Sequence, residues 1–377
     1  MKVEVSRQAL DRGRITASVK NLHPGYFAYV MATGIVSTAA YSLGPSWLSL
    51  ALLAAACAGL VILGVALAAR LIFFRAAVAA DVRAPDRVFA FFTITAGLDV
   101  LGVRFELDGY PAVTLGLATA AAAVWLLLTY GVPATLLLTR AHDSVLGGVN
   151  GTWLLWIVAT QSLSTAAAVL VRHSPSQAIP LAEAAAGLWS VGIIIYLVII
   201  TLILLRWLTV PMTPATLGPP YWILMGATAI SVLAGARYLT LPRTIPVVAA
   251  TAPFAEGFTY TLWAFGTWWI PLLLILGSWR HLRHHWPLTY EPTLWSIVFP
   301  LGMYSVATLA YGRQAHIDFM EPLARLMFWA SLIAWVLVAA AFLVRVTRHL
   351  REPASAPAPP GSGTAAGRDA VPEKELP

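Results

Sequence analysis

Few side chains in this sequence are equipped for chemistry, and their arrangement points away from covalent catalysis. Asp99 is the one carboxylate set deep inside an apolar run, FAFFTITAGLDVLG. At 1.5 Å per residue it falls ~18 Å along its helix, within a hydrocarbon core about 30 Å thick. An acid at that depth is costly, and is by default a proton site or the partner of an arginine such as Arg104 or Arg237. Phe299 and Pro300 stand together in LWSIVFPLGMYS, with Phe299 roughly 10 Å into its helix. Proline removes a backbone hydrogen bond and kinks the helix. A phenylalanine beside such a kink is either a hydrophobic gate in a passage or a core aromatic beside a bend. The three histidines of HLRHHW (281–286) resemble a metal cluster at first sight, but no Cys or carboxylate accompanies them. They read as a basic loop, with no metal assigned. His23-Pro24-Gly25 opens the first apolar run, where Pro suits the first helical position and the positive helix end attracts anions. There is no H-E-x-x-H, no G-x-S-x-G and no Walker A motif. The chain is therefore not an ATP-hydrolysing subunit, and nothing in it calls for a cofactor.

The elements that position these residues are membrane helices. Of 377 residues, 59% are hydrophobic and 11% charged, against about 25% charged in an ordinary soluble domain. Mean hydropathy is +0.76. The single cysteine, Cys57, lies in an apolar run and reads as a small buried hydrophobe. Runs long enough to span a bilayer fall at 24–43, 47–75, 87–103, 110–139, 151–171, 183–208, 219–239, 258–281, 292–311 and 321–349. The stretch 240–257, broken by Pro242, Pro246 and Pro253, reads as an external loop or a partial re-entrant segment. Ten spans with both termini inside put sixteen Lys and Arg up to Arg351 on the cytoplasmic side and six outside. That is the positive-inside bias, and it accounts for the net charge of +7 without a nucleic-acid partner. Residues 1–20 form a cytoplasmic segment, 21–350 the membrane domain, and 351–377 a Pro/Ala/Gly-rich cytoplasmic tail expected to be disordered.

The odd runs differ from the even ones. They open with aromatics and carry polar or helix-weakening residues at mid-span: Thr33 and Gly34; Gly97 and Asp99; Thr160 and Gln161; Gly226 and Thr228; Phe299, Pro300 and Gly302. The even runs are mostly longer and built of Ala, Leu, Val and Ile. Mid-membrane Gly, Pro, Thr and Gln are tolerated where neighbours or a cavity satisfy them. The expected architecture is therefore all-α: five hairpins, each giving one inner and one outer helix, with the odd helices around a narrow passage. The same small residues equally serve close helix packing.

The opening HPGYFAYVMATGIVS (23–37) resembles the signature of the tellurite-resistance and C4-dicarboxylate transporter family, which includes TehA proteins, yeast malate transporters and plant slow anion channels. GTWLLWIVATQS, LWAFGTWWIPLLL and LWSIVFPLGMYS are similar to it as well. The likeness covers residues 20–350. It implies ten helices in a quasi-fivefold arrangement, homotrimers with one pore per protomer, and a phenylalanine on the ninth helix that blocks the pore. That residue maps to Phe299 by its position before the kink. Asp99 and the 240–257 stretch have no counterpart in the family pattern.

These readings converge on passage of small anions through a phenylalanine-gated pore in the inner or plasma membrane, without ATP hydrolysis. The family admits monovalent anions, C4-dicarboxylates and tellurite. A proton-coupled dicarboxylate carrier, with Asp99 as the proton site, is the alternative. An enzyme or scaffold is a third class, but an enzyme needs His, Asp or Cys gathered on one cavity, and here they are scattered.

Overall fold

The computed structural model describes residues 16–139 and 145–351. Most of the expected N-terminal segment and all of the expected tail beyond residue 351 lie outside the described residues. Among the described residues the chain is all-helical, with no strand.

Five helices begin in the same way, with a short 3-10 turn that tightens into an α-helix. The turns are Pro24–Phe27, Val88–Phe91, Gly151–Leu154, Pro219–Trp222 and Pro292–Leu294. Proline at the start suits three of them, because its missing N–H would have no helical partner there. In two, a side chain caps an orphan donor: the Gly25 N–H donates to His23 Nδ1 at 3.0 Å, and the Thr152 N–H to Asn150 Oδ1 at 2.8 Å. The helices that follow are α1 Ala28–Leu43, α4 Phe92–Leu107, α6 Leu155–Leu170, α8 Ile223–Tyr238 and α10 Trp295–Ala315. The first four each run 16 residues. Between them lie long helices: α2 Ser46–Phe73, α5 Pro111–Thr139, α7 Ala178–Thr209, α9 Pro246–Ser278 and α11 Met320–Arg351. A short charged helix, α3 Arg75–Arg83, joins α2 to α4.

Neighbour relations give the architecture. α1 packs on α4, α4 on α6, α6 on α8, α8 on α10, and α10 returns to α1, so the five form a closed ring. Each long helix packs along the ring helix that precedes it in the chain. The long helices bury only 17–39% of their apolar stretches, whereas α4, α6, α8 and α10 bury 72–94% of theirs. Apolar surface left bare outside a packed ring is what a lipid solvent requires.

Four seams between hairpins carry the same device, an outer-helix indole donating to the inner helix that follows. Trp125 Nε1 donates to Thr160 Oγ1, Trp189 Nε1 to the Ser231 carbonyl, Trp263 Nε1 to Thr308 Oγ1, and Trp335 Nε1 to Thr33 Oγ1. The last of these closes the circle between the end of the chain and its beginning.

Among the described residues, nine helices are long and apolar enough to cross a membrane. The run at Pro24–Leu43 is not one of the nine: it is as long as Val88–Leu107 but less apolar, carrying Thr33, Ser37 and Thr38. One expectation is overturned. Residues 246–257 are neither loop nor re-entrant stretch but the first three turns of α9. Pro246 stands at the helix start, where proline is favoured, and Pro253 removes only one bond of the ladder, to the Ala249 carbonyl. At 33 residues, α9 is ~50 Å long, so it reaches past the hydrocarbon core. Its extension carries the exposed Arg243–Glu256 ion pair and accepts a hydrogen bond from the Tyr311 hydroxyl at the Glu256 carbonyl, 2.8 Å.

Candidate functional site

A cavity of about 20 Å³ lies on the axis of the ring, lined by residues of all five inner helices. That is room for a single water molecule. Ile35, Asp99, Ser162 and Ile230 line it, each the eighth residue of its helix, and Met303 of α10 stands with them. One turn further on, Thr38, Val103, Thr165, Leu233 and Val306 line it too. Arg237, two turns beyond Ile230 on the same face of α8, lines both this cavity and the wider vestibule beyond it. The vestibule measures about 260 Å³ and is bordered by Ser42, Thr240, Arg313 and Gln314.

Helical periodicity gives the level of the ring one turn before the cavity. Residues three or four positions apart share a face, so the residue before Ile35, Asp99, Ser162 and Ile230 on the axial face is Ala32, Ala96, Ala159 and Ala227. Before Met303 it is Phe299. All five are the fifth residue of their helices, and none is exposed to solvent. Four alanines and one phenylalanine thus stand at the same level of their helices, all of them buried.

Pro300 cannot donate to the Ser296 carbonyl, and its ring packs against Gly226. A Cβ at Gly226 would lie 2.8 Å from Pro300 Cγ. The other mid-span glycines also set distances within the ring. A Cβ at Gly34 would lie 3.0 Å from Val100 Cγ1, at Gly97 3.4 Å from Val30 Cγ1, and at Gly302 3.0 Å from Ile35 Cγ2.

The expected polar residues are placed differently. Thr33 and Thr160 accept the indole bonds of the seams. Gln161 Nε2 donates to the Trp189 carbonyl of α7 at 3.0 Å. Thr228 bonds back to the Met225 carbonyl and packs on Gly266 of α9. These groups face the outer helices, which explains why polar residues recur on the odd runs without lining the axis. Asp99, in contrast, faces the cavity. Ser162 Oγ donates to its Oδ2 at 2.8 Å, and its Oδ1 has no hydrogen-bond partner. Neither candidate arginine pairs with it. Arg104 is held by Asp108 at 2.8 Å and by Ser37 and Ser49, and Arg237 is left with its Nε buried and unpartnered. Ser162 is the site residue that sequence reasoning missed, and Arg237, named only as a possible ion-pair partner of Asp99, lines the cavity without pairing with it. Aligning the five helices on their shared starts would have put Ser162 level with Asp99.

At the other end, where α1 begins, charged groups converge. Arg70 and Asp81 form a buried ion pair at 2.7 Å, Arg87 joins Asp81 at 3.1 Å, and Arg70 Nε donates to the Lys20 carbonyl. Burial lowers the His23 pKa below its ordinary value, and Arg87 adds to this. Among the described residues no three His, Cys, Asp or Glu side chains are grouped to hold a metal ion.

Comparison with known proteins bears on this geometry. The family model described as SLAC1, voltage-dependent anion channel, matches residues 21–343. An uncharacterized membrane protein of Mycobacterium tuberculosis is 42% identical over 149 residues, covering 40% of this chain and 75% of that protein. An uncharacterized transporter of Methanocaldococcus jannaschii is 23% identical over 330 residues, covering 85% of this chain and 92% of that protein. A second uncharacterized transporter of the same archaeon is 22% identical over 148 residues, covering 39% of this chain and 42% of that protein.

Proposed function

The chain belongs to the SLAC1 family of voltage-dependent anion channels, and on that premise we propose that it passes small anions along the axis of its inner ring, with Phe299 as the gate. The observation that carries this reading is the layer of Ala32, Ala96, Ala159, Ala227 and Phe299. A passage framed by four methyl groups is filled by one aromatic ring, and a ring that moves aside opens it. Water cannot wet an apolar constriction of that size, so such a layer bars ions without any charge. Beyond it, Arg237 and the vestibule offer positive potential on the anion's route.

In this reading the five inner and five outer helices are ten spans in five hairpins, with α1 as the tenth. Both termini lie in the cytoplasm of a cell or plasma membrane, by the loop charges, and the protomers associate as homotrimers. Monovalent anions are the first candidates, with C4-dicarboxylates and tellurite after them. Anion flux into liposomes tests the proposal: Phe299→Ala should raise chloride, nitrate or malate flux well above wild type. Equal flux in both, with the protein folded, contradicts the gate.

A second reading rests on Asp99. A buried carboxyl on the axis, with one oxygen free, is equipped to carry a proton, as a proton-coupled C4-dicarboxylate carrier requires. Malate uptake that depends on a pH gradient and is lost in Asp99→Asn would favour it. Uptake indifferent to both would exclude it.

A further inference from the structure

Asp99 and Arg237 border the same axial cavity, yet no ion pair joins them, and each has a buried polar atom without a partner. A simple anion path has no use for a carboxylate at its narrowest polar point. The cavity as it stands has room for one water, and once the axis widens for conduction a halide or nitrate between these two residues meets the guanidinium on one side and bare carboxylate oxygen on the other. An anion that carries its own O–H meets them differently. Its oxygens accept from Arg237 while its hydroxyl donates to Asp99 Oδ1, the oxygen that Ser162 leaves free. A hydrogen bond to an ionised acceptor is stronger than one between neutral groups, the guanidinium offsets the repulsion between the two anions, and a site built to accept from a ligand hydroxyl rejects the analogue that lacks it.

Resting on the reading of the axis as an anion path, we propose that Asp99 and Arg237 form a selectivity site for anions bearing an O–H group, namely partly protonated oxyanions and hydroxy acids. Arg237 supplies the charge that holds the anion. Asp99 supplies the acceptor that chooses among anions. Ser162 fixes the carboxylate so that Oδ1 points into the cavity. Thr38 and Thr165 also line it, with their hydroxyls donating to the Gly34 and Gln161 carbonyls. No other titratable side chain lines the cavity among the described residues.

Nitrate and hydrogen carbonate are suitable probes, because both are planar monoanions of similar size and differ by one O–H. Reversal potentials would be measured in planar bilayers at mildly alkaline pH in the Phe299→Ala background. Neutral carbon dioxide carries no current and does not disturb the reading. Hydrogen carbonate should be at least about tenfold more permeant than nitrate. Adding Asp99→Asn should bring the ratio towards one by raising nitrate current. If that variant fails to fold, Arg237→Gln serves instead, and it should lower both currents while hydrogen carbonate keeps its lead. Nitrate passing as readily as hydrogen carbonate with Asp99 intact overturns the site while leaving the anion path standing. Absence of any anion current in the Phe299→Ala background overturns both the site and the path.

Discussion

Phe299 occupies on its helix the place that Ala227 occupies on the neighbouring one, the fifth residue in, and both are fully buried. The adjoining residue, Pro300, is seated on Gly226 of that same neighbour. Phe299, the proposed gate, and the proline contact next to it therefore belong to one interface, between α8 and α10. The repeated start of the inner helices makes the comparison possible, since it puts all five in one register.

Gly226→Val should be strongly destabilising. Its Cβ alone would lie 2.8 Å from Pro300 Cγ, and forcing extra methyl groups into such a contact costs about 1–3 kcal/mol. Gly116→Ala, with nothing within 4 Å of its Cβ, should leave the melting temperature in detergent unchanged or raised. Similar melting temperatures for the two variants would show that the glycine contact does not set the ring.

The Arg70–Asp81 pair should dominate the energetics of the end where α1 begins. Both side chains are buried, at 4% and 6% exposure, so Asp81→Asn leaves a buried guanidinium without its counter-charge, costing roughly 3–5 kcal/mol. The exposed pair of Arg243 with Glu256 contributes about 0–1 kcal/mol. Thermal unfolding of Asp81→Asn beside Arg243→Gln should show a large loss in the first and little in the second. Equal losses would refute the ranking.

Stability should fall as the medium is acidified through the range of His23. Burial, with Arg87, lowers its pKa below the ordinary 6.5, while Asp81 and Asp86 oppose the shift. Neutral Nδ1 accepts from the Gly25 N–H and cannot do so once protonated. The unfolded chain therefore binds the proton more readily. The contribution is complete above about pH 6.5 and is lost as pH drops through the folded value. Melting temperature measured from pH 8 to 5 should decline in wild type and decline less in His23→Asn, whose amide oxygen retains the cap. A parallel decline in both would remove His23 as the cause.

Much of this fold is legible in the sequence because lipid makes the signal simple. Apolar length marked the long helices to within a few residues at most ends, and small or polar residues at mid-span marked the inner ones. The exceptions have physical causes. Pro246 and Pro253 break a pattern without breaking a helix, so the first three turns of α9 were read as loop. Thr33, Thr160, Gln161 and Thr228 are polar at mid-span, but composition does not say which way a side chain points, and a neighbour's indole, carbonyl or packing surface satisfies each of them as well as a pore does. Asp99 was legible as a residue of interest. Its company was legible only in part: Arg237 could be named as a possible ion-pair partner but not as an unpaired neighbour on one cavity, and Ser162, 63 positions away along the chain (162 − 99), is brought to it only when the ring closes.

The conductance of single proteins in planar bilayers, compared for wild type, Phe299→Leu and Phe299→Ala in symmetrical chloride, tests the gate most directly. If the ring of Phe299 alone fills the layer that Ala32, Ala96, Ala159 and Ala227 leave open, conductance should rise stepwise as the side chain shrinks, with the alanine variant conducting most. Conductance that stays at the wild-type level in both variants, with the proteins folded and inserted, would contradict a gate at Phe299.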